Sequence, residues 1–366
     1  MGPSRRLENL GQARHAIEIN AAGRVVMPGF IDAHTHLAFP PAGIREAEPA
    51  AAVRALHTAT GHRLAVRSQA YLEAMARHGT TTVEVKTACG VDGDAEAKLL
   101  RMLWALRRDP IDVLSTFLFR LPSDLKGDSS QTTEWVATDL LPKVLRRRVA
   151  SFADLVWDCD PALLPCFDRY LSAAQELGFG CKIHADGADP SGAIALARRH
   201  SAASIDHCEH ATERHVRELA EAGIIATLLP SVTFGGGPEA PARALIDAGA
   251  AVALGTNFNP HDSPALSMQS VIALACARWG MTIEEAISAA TINAAYALGC
   301  AGKVGSLEPG KSADLVVLNV GHFRDLELSL GTNLVHLTMK GGRFIYKEGE
   351  VGPLPANDCR SEGWRQ

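Results

Sequence analysis

The chain alternates short β-rich runs with longer helix-spaced segments, and little else constrains its fold so strongly. The β-rich runs are PGFIDAHTH from Pro28, TTTVEVK from Thr80, IDVLSTFLF from Ile111 and FADLVWD from Phe152. They continue with GCKIHAD from Gly180, AASIDH from Ala202, IIATLLP from Ile224 and AAVALGTN from Ala250. Between them lie segments such as DAEAKLLRMLWALRRD from Asp94 and ERHVRELAEAG from Glu213. Several of these segments end at a glycine (Gly79, Gly178, Gly223, Gly249), as a helix C-terminus prefers. Eight strands alternating with helices predict an α/β fold, a (β/α)8 TIM-type barrel. A doubly wound open sheet gives a similar alternation and stands as the alternative.

The barrel is expected over residues 28–305, with its last helical segments at Ser267 to Trp279 and Ile283 to Leu298. ADLVVLN and TNLVHLTMKGGRFIYKEGE follow, the latter reading as two strands joined at Gly341-Gly342. With HAIEINAAGRVVM they predict a small β appendage built from both termini, from residues 1–27 and 306–352; residues 353–366 read as a tail.

Composition narrows the class. At 47% hydrophobic and 21% charged, 366 residues can bury a large core. A net charge of −5 offers no footprint for nucleic acid or an anionic membrane, and Arg146, Arg147 and Arg148 read as a solvated helix end. The eight cysteines are scattered without a C-x-x-C pair, which points to a reducing compartment. The first residues contain no apolar h-region, and no apolar run reaches the ~18–20 residues of a membrane span. A cytoplasmic protein with a small-molecule partner is expected, neither nucleic acid nor membrane, and a homodimer stays open.

The chemistry concentrates at strand ends. His34-Thr35-His36 places two imidazoles at i and i+2, which face the same way on a strand. Imidazole is a preferred ligand for zinc or iron. His184 follows GCKI, His207 follows AASID, and Asn257 follows AVALGT. In a parallel barrel these ends share the catalytic face. Four histidines at three such ends point to a metal site rather than to packing.

These motifs carry a resemblance. PGFIDAHTHL resembles the opening motif of the amidohydrolase superfamily. KIHADG, SIDHCEH, LLPSVTF, PARALIDAG, TNFNPHDSP and MTIEEAISAATINAAYALG resemble the imidazolonepropionases, which open a cyclic amide; the likeness runs from about Arg24 to Leu318. GSLEPGKSADLVVLN is similar to the superfamily's C-terminal β segment. The resemblance implies that His34, His36 and His184 hold one divalent ion, zinc or iron. It implies that His207 orients water or polarises the substrate carbonyl, that Arg45 grips a substrate carboxylate, and that Asn259 contacts substrate. A surface arginine and a turn-forming asparagine remain the alternatives for the last two. The run FADLVWDCD lacks the bridging lysine of two-metal relatives, which favours one ion; Lys86 beside Glu84 reads as a structural ion pair.

The chain also departs from the family. Asn257 stands where an aspartate ligates the metal and accepts a proton, and an amide has no basic oxygen. Gly187 replaces an acidic residue, Cys89 a tyrosine and His261 a glycine. TFLFRLP lacks a histidine, the stretch from Glu48 to Gly79 is shorter than the family's, and little of the appendage's first half is present. Asp186, Asp206, His210, His261 and Asp262 are candidates to replace the missing acceptor or ligand, against the alternative that they are solvated loop residues. The expected function is metal-dependent hydrolysis of cyclic amides or related carbon–nitrogen bonds. A catalytically impaired relative and a superfamily deaminase are the rivals.

Overall fold

The computed structural model describes residues 18–39, 56, 58–87, 93–121, 128–260 and 263–349. Arg45, Cys89, His261 and Asp262 lie outside the described residues. A four-residue strand, β1 (Val25–Pro28), leads into eight parallel strands in sequential order. These are β2 (Phe30–Asp32), β3 (Thr80–Lys86), β4 (Asp112–Phe119) and β5 (Phe152–Val156), followed by β6 (Gly180–Ala185), β7 (Ser204–His207), β8 (Ile225–Leu228) and β9 (Val252–Leu254). Just past β2 and β9 the ring closes. Asn257 N donates to His34 O at 3.0 Å, His36 N donates to Phe258 O at 2.8 Å, and Thr35 bridges Phe258 in parallel. The barrel is therefore closed, and the open sheet is excluded.

The strands form where β-branched residues alternate with polar ones. In β3, Val83 and Val85 turn outward onto Leu72, Met75, Leu99 and Leu103 of the flanking helices. In β6 and β7, Ile183 and Ile205 share a second cluster with Ile194 and Leu196. Period-2 alternation then directs the intervening residues, Glu84 and Lys86 among them, into the barrel.

One expected element differs. The segment Ile283 to Leu298 is two helices, Ile283–Ala289 and Ile292–Ala297. Between them Thr291 leaves helical geometry at φ −133° and ψ −92°, and its hydroxyl donates to Ile287 O at 2.7 Å. Ala294, Ala295 and Ala297 of the second helix pack with Ile31, Ala33 and Ala253, so small side chains cover the seam between first and last strands.

The remaining strands, β10 (Leu315–Leu318), β11 (Val335–Lys340) and β12 (Arg343–Lys347), pair antiparallel with β1 in the order β1-β10-β11-β12. The buried Lys340 ammonium ties this sheet to the barrel, 2.5 Å from Asp314 and 2.6 Å from Asp112 at the start of β4.

Gly255 is the closest approach at the seam. A Cβ there would lie 2.9 Å from both the backbone nitrogen and the Cβ of His34. That neighbour is main chain and cannot swing aside. Gly255→Ala should destabilise the protein by about 1–3 kcal/mol, the usual cost of overpacking. A lower urea midpoint at unchanged m-value checks it; an unchanged midpoint would show that the seam has slack.

Candidate active site

The sequence places its histidines on three strand ends, and the fold brings all four together. His34 and His36 sit just beyond β2, His184 is in β6, and His207 ends β7. Ring centroids are 4.6 Å apart for His34 and His184, and 5.3 Å for His207 with either of them. The Nε2 atoms of His34 and His36 are only 3.1 Å apart. Two imidazole nitrogens that close must share either a proton or a cation.

Each of three rings is anchored through its other nitrogen. His34 Nδ1 donates to Asp206 Oδ2 at 2.8 Å, His184 Nδ1 to Asp154 Oδ2 at 3.0 Å, and His207 Nδ1 pairs with Glu209 Oε1 at 3.1 Å. For His34 and His184 a carboxylate on Nδ1 fixes the tautomer that leaves the Nε2 lone pair pointing into the cluster, the arrangement usual for metal-ligating histidines. His184 Nε2 is buried with no hydrogen-bond partner. An orphaned acceptor of that kind is costly unless something fills its lone pair. Ligand atoms of His34, His184 and His207 fall within 4.8 Å of one another, so the residues present fit a divalent ion.

The electrostatics agree with that chemistry. Burial holds His34 and His36 well below the usual imidazole range, helped by the Lys86 ammonium for His34 and by His184 for His36. Both are neutral at physiological pH, as ligands must be. For His207, burial pulls in the same direction but is outweighed by Glu209, followed by Asp186 and Asp206, so its pKa is raised. Its backbone is strained, with φ of 81° at His207 and 70° at Cys208. Non-glycine residues in the left-handed region cost about 1–3 kcal/mol each and cluster at functional sites.

Beneath the histidines lies a layer of charge that sequence reading largely missed. Glu84, Lys86, Asp154, Lys182 and Asp206 are all wholly buried inside the barrel. Lys86 Nζ lies 2.5 Å from Asp154, 2.8 Å from Asp206 and 3.1 Å from Glu84; Lys182 Nζ is 2.7 Å from Glu84. The Lys86–Glu84 pair read from sequence is thus one contact of a five-member network. Asp206 is no solvated loop residue, because it joins Lys86 to His34. The available signal was the spacing of polar residues at i and i+2 within β-rich runs: Glu84 with Lys86, Lys182 with His184, Asp32 with His34.

Asp32 performs a separate task. Its carboxylate accepts from Thr256 N at 2.9 Å and from Thr256 Oγ1 at 2.6 Å, stitching β2 to the segment after β9. Burial pushes its pKa up to about 7 against those two bonds. Thr256 immediately precedes Asn257, which is half-buried with φ 53°, a conformation that asparagine and aspartate tolerate better than most residues.

The other sequence candidates fall around the mouth. Asp186 follows β6, is exposed and lies 3.9 Å from Arg120 at the end of β4. Burial opposes its ionisation, but His207, His184 and Arg120 outweigh it and lower its pKa. His210 is exposed. Asn259 is half-buried and exchanges two backbone hydrogen bonds with Ser263. A Cβ at Gly187 would lie 2.2 Å from Cys159 Sγ, so the thiol fills the space where an acidic side chain would begin.

Comparison with known proteins decides the family. Residues 41–346 match the amidohydrolase family model. This chain belongs to the amidohydrolase family. It is 38% identical over 352 residues to the imidazolonepropionase of Porphyromonas gingivalis, covering 90% of this chain and 83% of that one. Identity is also 38% with the imidazolonepropionase of Geobacillus kaustophilus, over 91% of this chain and 84% of that one. The structure of N-isopropylammelide isopropylaminohydrolase from Burkholderia multivorans superposes with a TM-score of 0.71 at 19% identity, over 90% of each chain. A triazine hydrolase variant gives 0.72 at 18% identity, over 93% of this chain and 87% of that one. This amidohydrolase is an imidazolonepropionase-like enzyme that hydrolyses carbon–nitrogen bonds. Among the described residues, no helix is long and apolar enough to cross a membrane.

The buried layer makes this amidohydrolase acid-sensitive. Burial opposes ionisation of Asp154 and Asp206, but Lys86 and His184 bring Asp154 down to about 2, and Lys182 with Lys86 holds Asp206 well below the usual range. Their folded pKa values lie below the unfolded one, so the stability they contribute is present above about pH 4 and lost as pH falls toward 2. Urea midpoints should begin to fall below about pH 6, as the unfolded chain protonates the imidazoles of His34 and His36 that the fold keeps neutral, and drop more steeply below about pH 4. Asp154→Asn should flatten part of that drop; an identical acid profile would remove Asp154 from the account.

Proposed function

We propose that this amidohydrolase is a mononuclear metal-dependent hydrolase of small cyclic amides, with zinc or iron held by His34, His36 and His184. The observation that carries this reading is the buried His184 Nε2 without a hydrogen-bond partner, beside the His34 and His36 rings, whose own Nε2 atoms lie 3.1 Å apart. A divalent ion there supplies Lewis acidity and makes water nucleophilic near neutral pH.

The protein's own groups divide the remaining work. His207, its pKa raised by Glu209 against the pull of burial and its backbone strained, is the group we assign to polarise the ring carbonyl oxygen as negative charge develops there. Water adds to the carbonyl carbon, the ring carbon–nitrogen bond breaks, and the leaving nitrogen takes a proton. Asn257, in the place of the expected aspartate, orients by hydrogen bonding but accepts no proton at neutral pH. Asp186, ionised at the mouth beside Arg120, is the proton acceptor we assign in its place. Arg45 and Asn259 would hold the substrate's polar groups, which favours an anionic cyclic amide.

The relatives' substrate, imidazolone propionate, is not the one we favour. The Gly187 position is closed off by Cys159, and no histidine follows β4, where Arg120 stands instead. Purified protein should turn over imidazolone propionate poorly and open a smaller anionic cyclic amide better. Turnover of imidazolone propionate at a rate ordinary for an enzyme, on the order of 10 s⁻¹, would overturn that substrate assignment.

Asn257→Asp tests the centre itself. The variant adds a charged oxygen ligand and a base, and a positioned base is worth ~10²–10⁴ in rate. The left-handed backbone accepts aspartate, so the fold should be kept. Zinc should raise the thermal midpoint of the variant more than that of the parent. Elemental analysis of both proteins, purified without chelator, should find metal bound. No metal in either protein would replace the hydrolase reading with that of a catalytically impaired relative.

A further inference from the structure

The ammonium of Lys86 sits in a cage built entirely of carboxylate oxygens. Asp154 Oδ2, Asp206 Oδ2 and Glu84 Oε2, from β5, β7 and β3, approach it at 2.5, 2.8 and 3.1 Å, and all four side chains are wholly buried. Convergent carboxylates in a sealed interior would repel one another without a cation among them. Each of its carboxylates also lies in a metal-sized group with one of the histidines. Ligand atoms of Asp154, His184 and Asp206 lie within 4.8 Å of one another, as do those of His34, Glu84 and Asp206.

We propose that Lys86 is the resident cation of a latent second metal site, and that its ammonium keeps this amidohydrolase a one-metal enzyme. The proposal rests on the one-metal reading above and deepens it. Two cation positions lie one behind the other, joined by shared carboxylates. Asp206 Oδ2 contacts both His34 Nδ1 and Lys86 Nζ, and Asp154 Oδ2 contacts both His184 Nδ1 and Lys86 Nζ. The outer position has imidazole donors suited to zinc or iron. The inner one has only oxygen donors, which suit a hard divalent ion such as Mn²⁺.

Charge accounts for why one ion suffices. Glu84, Asp154 and Asp206 oppose two ammonium groups, Lys86 and Lys182, leaving one negative charge beneath the histidines. Without Lys86 two negative charges remain, which matches a divalent ion. Lys86 is thus a positioning residue: it acts on the outer centre through Asp206 and Asp154.

The test compares full-length parent, Lys86→Ala and Lys86→Met, expressed in manganese-supplemented medium and purified without chelator. Lys86→Ala removes both the charge and the volume, whereas Lys86→Met removes the charge and leaves the cage filled. Elemental analysis should show about one further equivalent of metal per chain in Lys86→Ala than in the parent, and none further in Lys86→Met. Added Mn²⁺ should raise the thermal midpoint of Lys86→Ala more than that of either other protein. An equal metal content in Lys86→Ala and parent would overturn the proposal. So would an equal gain in both variants, or Lys86→Ala remaining insoluble with and without manganese. A parent that binds no metal would sink the one-metal reading instead, while the difference between variant and parent would still decide this one.

Discussion

The ion network of Glu84, Lys86, Asp154, Lys182 and Asp206 is the interaction on which the rest of the molecule depends. Isolated charges inside a protein cost several kcal/mol each, so these groups persist only because every one is paired. Their pairing fixes the interior of the barrel at the level just below the mouth. It then reaches the surface chemistry through two bonds, Asp206 to His34 and Asp154 to His184. Ring orientation and tautomer of His34 and His184 follow from that layer. The catalytic face is therefore set from below, by groups no substrate touches.

Much of this was legible in the residues and part was not. The eight β-rich runs and the four histidines could be read directly, because strand ends in a parallel barrel converge whatever their spacing in the chain. The ion layer was hidden because its members occur singly in apolar runs: Asp154 in FADLV, Lys182 in GCKI, Asp206 in SIDH. A lone charge in such a run reads as a strand end. Only closure of the barrel shows that five of them meet. The break at Thr291 was hidden for a different reason, since threonine is neither a strong helix breaker nor a cap by itself; the helix ends where its backbone leaves helical geometry. Lys86 was seen with one partner when it has three, because Glu84 alone is its neighbour in sequence.

The departures from the imidazolonepropionases are consistent with one another. Gly187 carries no acid, and Cys159 stands in the space an acid would need. Asn257 keeps the backbone geometry that an aspartate would also adopt while giving up its charge. At the mouth, Arg120 and Asp186 form a pair of opposite sign.

The stitch between Asp32 and Thr256 spans 224 residues and lies on the seam where the barrel closes. His34 comes from one side of that seam and Asn257 from the other, linked by a main-chain hydrogen bond. Contacts so distant along the chain form slowly, because the entropy of closing the intervening loop is lost before they reward it. During synthesis the N-terminal histidines must wait, already made but without their partners, until the ribosome has delivered the last barrel strand. Assembly of the seam is thus a report that the whole barrel has folded.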